Sequence, residues 1–444
     1  MALAASLALA PVALADEWWA HPDDATWTYE WTDSQYNTTP TAEKVTVKEQ
    51  KGKSFTLSWT TQDQGNGEEA ITSLGDMAFQ EANAGLLNTD WSSNPPPSDF
   101  PILCPQLGGC ANALSSTLYY LIWGSRAPVL QEPLLQGVTW NSSGGARGDV
   151  ASTSTYDGRE TVTVPAFPDG IEAAKVRTDV TQAGALGDPY GSGVRTVWWV
   201  HGVGPVKVVF EHAGGGDAAV TTSVLKSTNQ EPTPAPSDAN YFPLTKGTKL
   251  VYRWTNSKYL KKPSIQEFVI DDAANLSARF TVKHRSGPIK VAGAYGYTQR
   301  LDGITNIWGI TKAATFAKFP PLGPSALPKD KRRHFFTPFD LMDYGMNPVL
   351  PAYPAPGANW ATKNPSRDFS IYGVNGSTQI LGTQFVTVPA GTFQALVVQS
   401  KLEQPGFKFG SGVRTSWFAP GKGLVKLVFR HGDRSVSTVE LLKK

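Results

Sequence analysis

Residues 191–212, GSGVRTVWWVHGVGPVKVVFEH, return at 410–431 as GSGVRTSWFAPGKGLVKLVFRH. At the constant offset of 219, 14 of these 22 positions are identical. Read with period two, Val194, Thr196, Trp198 and Val200 share one face, and Arg195, Val197 and Trp199 the other. HGVGP makes a turn, and the next run places Val206, Val208, Phe210 and His212 together, opposite Lys207, Val209 and Glu211. This alternation around a glycine-bearing turn spells a β-hairpin. The second copy repeats it with Val413, Thr415, Trp417 and Ala419, then Val425, Leu427, Phe429 and His431. The face carrying Trp198, Val208 and Phe210 is taken as the more apolar, and it must pack on a second layer or a helix.

The repeat extends outward from the hairpin. WTYEWTDSQY at 27–36 matches LVYRWTNSKY at 250–259, and VTVPA occurs at both 162–166 and 386–390. Pro165 and Pro389 should mark strand ends, because proline cannot donate to a ladder. Order is kept over roughly 200 residues, the size of a domain and far above a solenoid repeat. The intervening NQEPTPAPSDAN, 229–240, is proline-rich and nearly free of apolar side chains, which makes it a semi-rigid spacer. The expected organisation is therefore a leader at 1–15, a β-rich unit at 16–228, a linker at 229–240 and a second β-rich unit at 241–444. Each unit should be a curved, mainly antiparallel sheet or half-barrel. SLGDMAFQEANAGLL, 73–87, is read as one helix, and the Pro- and aromatic-rich stretches 89–130 and 312–356 as long ordered loops.

Composition sets the compartment and excludes several functions. Residues 1–15, MALAASLALAPVALA, are small and apolar, and Ala13-Leu14-Ala15 before Asp16 fits a signal-peptidase site, so export is expected. No other stretch approaches the 18 or so apolar residues of a spanning helix. A net charge of +2 argues against nucleic acid, and KDKRRH at 329–334 reads as a solvated loop. G-x-S-x-G, H-E-x-x-H, phosphate-loop and EF-hand patterns are all missing. No catalytic residue, metal site or cofactor is assigned.

Several features in order resemble a broad group of exported bacterial proteins of unknown function. They are YFPLTKGTKLVYRW (241–254), Gly357 with Trp360, VTVPAGTFQAL (386–396) and VRTSWFAPGKGLVKLVF (413–429). The first copy departs from that pattern, with AFPDG in place of AGTF and VHGVGP in place of the A-P-G-x-G turn. The group resembles the half-barrels of periplasmic lipoprotein carriers and related cell-envelope proteins. That resemblance implies a curved sheet over a concave apolar surface and carries over no catalytic residue.

The candidate site is accordingly the concave face: Trp198, Val208, Phe210 and His212, and its twin Trp417, Leu427, Phe429 and His431. It would take a lipid or other apolar ligand; each histidine reads first as a core-rim residue hydrogen-bonded to backbone, and alternatively as a polar anchor at the mouth. Arg195 and Lys207, kept as Arg414 and Lys426, are placed on the opposite, solvent-facing side. A second reading is a binding module for envelope glycan or protein that uses the unshared Trp18, Trp19, Trp59, Trp91 and Trp123. A third is a hydrolase with its site near His201, His212 or His284. The sequence does not specify an oligomeric state.

Cys104 and Cys110, the chain's two cysteines, sit in CPQLGGC, and an exported chain should join them. Thiol titration of the oxidised protein should find no free thiol. So short a loop should add at most about 2–3 kcal/mol to stability.

Overall fold

A computed structural model describes residues 18–63, 72–93, 116–144, 150–182, 189–213, 218–274, 276–313, 319–320, 334–345, 348–363 and 374–443. The leader, Cys104 and Cys110 lie outside them. The fold is nearly all β and forms two compact units. One comprises Met1–Gln131 with Asn141–Pro236, the other Glu132–Trp140 with Ser237–Lys444. The division falls inside the proline-rich stretch, between Pro236 and Ser237.

The first unit is a 12-stranded sheet in the order β6-β5-β4-β3-β2-β1-β12-β11-β10-β9-β8-β7. Its strands are β1 (Thr26–Asp33), β2 (Asn37–Lys51), β3 (Ser54–Asp63), β4 (Thr72–Ala82), β5 (Gly85–Ser93) and β6 (Leu130–Gln131), then β7 (Thr139–Gly144), β8 (Val150–Val164), β9 (Phe167–Gln182), β10 (Gly193–Val200), β11 (Gly204–His212) and β12 (Val220–Thr228). The second unit has the order β17-β16-β15-β14-β13-β23-β22-β21-β20-β19-β18. Its strands are β13 (Lys249–Asn256), β14 (Leu260–Ala274), β15 (Ser277–Ser286), β16 (Val291–Arg300), β17 (Gly303–Ala313) and β18 (Asn359–Lys363), then β19 (Asn375–Val388), β20 (Gly391–Glu403), β21 (Gly412–Ala419), β22 (Gly423–His431) and β23 (Val436–Leu441). Where β6 pairs Leu130 with Leu86, the second unit keeps one bridge, Leu350 with Ile304.

This topology decides what fills the interior. Each unit meanders outward to one edge, then restarts at the opposite edge and returns, so that its first and last strands pair mid-sheet. One long connection must link the two edges. The chain leading from β5 to β7 and from β17 to β18 carries a short helix, α1 (Thr117–Ile122) before β6 and α2 (Pro338–Asp343) before the Leu350 bridge, with every residue buried.

Residues 73–87 are not a helix. They form β4 and the start of β5, with Met77 opposite Leu57 and Phe79 opposite Phe55. Met77 and Phe79 alternate inward with period two, while Leu74 is exposed. The helices instead lie within stretches read as loops.

The paired GSG motif has a backbone cause. Gly193 and Gly412 hold φ of 145° and 135°. A Cβ on either would lie 2.1 Å from a carbonyl oxygen of the neighbouring strand, that of Glu211 or Arg430. Gly412→Ala should cost about 1–3 kcal/mol for its φ alone, plus the clash. Gly357→Ala, at φ 88° with open space around the Cβ position, should cost less. Denaturant melts of the two variants check the ranking.

Candidate functional site

The candidate residues of β11 and β22 point inward. Val208, Phe210, Leu427 and Phe429 are all buried. Trp198 and Trp417 do not join them. On β10 and β21 the inward side chains are Arg195, Val197 and Trp199, and Arg414, Ser416 and Phe418. Trp198 faces outward, its Nε1 donating to Glu160 Oε1 at 2.6 Å, with the amines of Lys207 and Lys175 at 5.0 and 5.8 Å from the ring. Trp417 likewise lies under Lys426 at 5.7 Å. The face assignment of these strands is thus reversed. Val197 and Trp199 outweigh Thr196 in burial, and the arginines go inside with them.

Arg195 and Arg414 are therefore interior, not solvent-facing. Arg195 donates to the carbonyls of Tyr120 and Trp123 at 2.5 and 2.6 Å, and to Ser125 Oγ at 2.7 Å. Arg414 donates to the carbonyls of Leu341 and Tyr344 at 2.7 and 2.5 Å, and to Ser400 Oγ at 3.3 Å. Each guanidinium thereby satisfies the orphaned carbonyls at the C-terminal end of a helix, where a cation is also favoured by the helix dipole. Burial lowers both side chains to about 9, still charged at neutral pH.

The opposite helix ends are held by carboxylates. Glu43 of β2 accepts from Ser116 Oγ at 2.5 Å and from the Thr117 N–H at 2.7 Å. Burial raises its carboxyl, and these hydrogen bonds pull it back. The matching position in the second unit is Gln266: Glu43 pairs with Tyr29 and Gln266 with Tyr252 in register. There the acid comes from the helix itself. Asp340 and Thr337 close a capping box, and Tyr295 donates to Asp340 Oδ1 at 2.8 Å.

The sheet's apolar interior is consequently occupied. Phe339 of α2 stacks on Phe268 with ring centroids 4.1 Å apart, and Leu341 and Met342 join the same core as Leu427 and Phe429. In the first unit Trp59 and Trp91 pack edge-on against Tyr119 of α1 at 5.6 and 5.5 Å.

His212 and His431 end the inward rows, buried, each with Nδ1 on a backbone carbonyl (Tyr190 at 2.5 Å, Phe409 at 2.6 Å). His212 Nε2 meets Thr221 Oγ1 at 2.8 Å, and Thr221 in turn donates to buried Asp33. His431 Nε2 meets Ser437 Oγ at 2.9 Å, and Asn256 stands where the first unit has Asp33. Burial lowers His431 to about 4, so it is neutral at physiological pH. His201 meets Thr233 Oγ1 at 2.6 Å, and His284 meets the Gly287 carbonyl at 2.9 Å. Each histidine thus has a local structural contact. Among the described residues no group of three or more His, Cys, Asp or Glu is arranged to hold a metal.

The unshared tryptophans are also interior. Trp18, Trp19, Trp59 and Trp123 are buried, and Trp91 is half-buried. The glycan reading loses the exposed rings that motivated it. The exposed tryptophan is instead Trp308 on β17, beside exposed Ile307 and Ile310.

No protein-family model matches the chain, and no curated protein matches it. Among solved structures, a protein described as exported, with a YmcC-like fold, from Bacteroides fragilis aligns at 14% identity and TM-score 0.23, over 46% of this chain and 98% of that one. A protein described as a lipoprotein from Parabacteroides distasonis aligns at 10% identity and TM-score 0.24, over 49% and 100%.

Asp343 has no counterpart acid in α1, where Ile122 stands. It is fully buried; Tyr297 donates to Oδ2 at 2.6 Å, while Oδ1 has no partner among the described residues. Burial raises its carboxyl from 3.8 to about 8. Because the folded value lies above the unfolded one, the protonated acid stabilises the fold fully below pH 4. That contribution fades as pH rises toward 8, by a few kcal/mol on the order of 1.4 kcal/mol per unit. Asp343→Asn should remove this slope, so that the variant exceeds wild type in melting temperature at pH 8 and loses the advantage at pH 4. Melting curves across that range check it; parallel profiles would count against it.

Proposed function

We propose that the chain is an exported, non-catalytic protein of the cell envelope. In this reading each unit binds an apolar ligand, such as a lipid acyl chain, in the space that α1 and α2 occupy in this conformation. The observation that carries the reading is the polar character of the helix seats. A helix that is permanent core is best held by apolar contacts, because buried charge must be compensated group by group. Here both arginines leave Nε without a partner among the described residues, and Asp343 leaves Oδ1 so. Behind each helix lies a continuous apolar sheet face, Val206, Val208 and Phe210 or Val425, Leu427 and Phe429. Withdrawal of the helix would open that face to a chain-like ligand. The Ala-rich leader supports export. The polar side chains kept in both copies are spent on helix ends and strand ends, which favours binding over turnover.

A second reading, a surface module for an envelope protein or glycan, has one observation behind it: the apolar strip of Ile307, Trp308 and Ile310 on the edge strand β17.

The test uses the tryptophans that rest on α1. Oleate titrated into the whole protein should shift their fluorescence saturably as Tyr119 leaves Trp59 and Trp91. Arg195→Met orphans two buried carbonyls and should cost about 2–4 kcal/mol. It should also bind oleate more tightly than wild type, because the helix is released. If neither protein responds while both still melt cooperatively, α1 is permanent core and the surface reading stands.

A further inference from the structure

The proline-rich stretch after the first copy does not run free. Residues up to Pro236 belong to the first unit. The Thr233 N–H donates to the His201 carbonyl at 2.9 Å, and Thr233 Oγ1 meets His201 Nδ1 at 2.6 Å. Arg159 donates to the Pro236 carbonyl and to Glu172 Oε1, the latter at 3.2 Å. Gly202 lies directly beneath, and a Cβ there would be 2.7 Å from Thr233 Oγ1 and 2.9 Å from the Glu231 carbonyl. The segment is thus a strap seated on the turn between β10 and β11.

Under the strap is a pocket of about 190 Å³. This is smaller than the roughly 300–1,000 Å³ of drug-sized sites, so it fits only a small metabolite. Its polar lining is Arg159, Glu172, His201 and Thr233, and its apolar walls include Ile171 and Val200. Trp18 also lines it; the residue is 4% exposed, and its indole N–H is buried without an acceptor among the described residues. A buried donor left unmatched costs about 1–3 kcal/mol unless something accepts from it.

The two copies supply an internal control. Strand register pairs Arg159 with Ala174 and Thr383 with Leu396, so Thr383 occupies the place of Arg159. By the same register Gln394 replaces Glu172, while the hairpin offset puts Pro420 at His201 and the first-strand offset puts Tyr241 at Trp18. The positions of Arg159, Glu172, His201 and Trp18 therefore differ together, although the β10–β11 and β21–β22 hairpins keep the same pairing. Arg159 and His201 also hold the strap, through the Pro236 carbonyl and Thr233 Oγ1, whereas the indole N–H of Trp18 makes no bond to it.

We propose that this pocket is a binding site for a small aliphatic carboxylate, held between the Arg159 guanidinium and the Trp18 indole N–H, with its alkyl part on Ile171 and Val200. Donors dominate the pocket, and a charge-assisted bond to guanidinium is the strongest contact on offer. Glu172 occupies the guanidinium in the ligand's absence. Its side chain is 65% exposed, so it can yield its place to an incoming carboxylate by turning into solvent. The site is independent of the helix-covered interior and stands whether or not that interior takes a lipid.

Calorimetric titration of the whole protein with butyrate, butanol and butylamine tests it. Butyrate should bind saturably and the other two should not. Arg159→Gln should weaken butyrate at least tenfold, and Trp18→Phe, which keeps the ring and drops the donor, severalfold. Glu172→Gln should tighten it severalfold, because the competing internal carboxylate is gone; this gain cannot arise from misfolding. Absence of saturable butyrate binding, equal binding of butanol, or an unchanged affinity in Glu172→Gln would overturn the proposal.

Discussion

A buried guanidinium at the end of a six-residue helix is the constraint on which each unit rests. So short a helix has little stability of its own, since the nucleation cost is barely recovered in a turn and a half. Placed against an apolar sheet face, its end groups also lose water, and orphaned carbonyls in such a place are costly. Arg195 and Arg414 answer both problems at once, because one planar side chain reaches two carbonyls that face the same way. The meander leaves no alternative route for the chain. With first and last strands paired mid-sheet, the edges can be joined only by a crossing segment, and the segment needs something to hold it. That the arginine sits on the strand directly opposite the helix end, at the same place in both copies, follows from this geometry.

The two units reach the same end by different charges. At the N-terminal end of the helix the first unit uses a carboxylate from the sheet, Glu43, while the second uses Asp340 from the helix and leaves a neutral Gln266 on the sheet, donating to the Phe336 carbonyl at 2.8 Å. At the far end of the inward row, Asp33 of one unit corresponds to Asn256 of the other, beside the same histidine–hydroxyl contact. Each swap exchanges an ionisable group for its amide at nearly constant shape. What both copies retain is thus a polar group of the same shape at each place, while its donor or acceptor role changes with the charge. The arginine is the exception: in both copies Nη1 donates to two helix carbonyls while Nη2 reaches a serine hydroxyl.

Much of this was legible in the sequence. The hairpin, the paired units and the curved antiparallel sheets follow from period-two alternation and from the repeat itself. The inward positions of Val208, Phe210, Leu427 and Phe429 could be read directly. The face of the preceding strand could not, because Val194-Arg195-Thr196-Val197-Trp198-Trp199 carries apolar groups on both sides. Reading the Trp198 face as the more apolar sends Arg195 to solvent, yet Val197 and Trp199 on the arginine's own parity are the better guide. The helix at 73–87 failed for a related reason: Met77 and Phe79 alternate, but Gly75 and Ala78 blur the period. At Gly75 a Cβ would lie 2.2 Å from the Ser92 carbonyl oxygen and 2.7 Å from the Trp59 ring, contacts invisible until the strands are paired.

The interior's composition bears on how the fold can be used. An apolar sheet face covered by apolar residues alone would gain stability with every contact and resist opening. Here the second unit's helix carries a buried acid raised to about 8, and in both units the sheet arginine at the helix end leaves Nε without an acceptor among the described residues. These groups weaken the seat of the helix without weakening the sheet, whose ladders and aromatic clusters, such as Trp19 among Trp27, Phe55 and Trp199, lie elsewhere. The polar groups thus gather at the ends of each helix, while its middle packs on aromatic rings, Phe339 on Phe268 and Tyr119 against Trp59. Local opening draws on the least stable part of a structure. In the proposed reading that part is the helix, whose departure would bare the inward faces of Val208 and Phe210 in one unit and of Leu427 and Phe429 in the other.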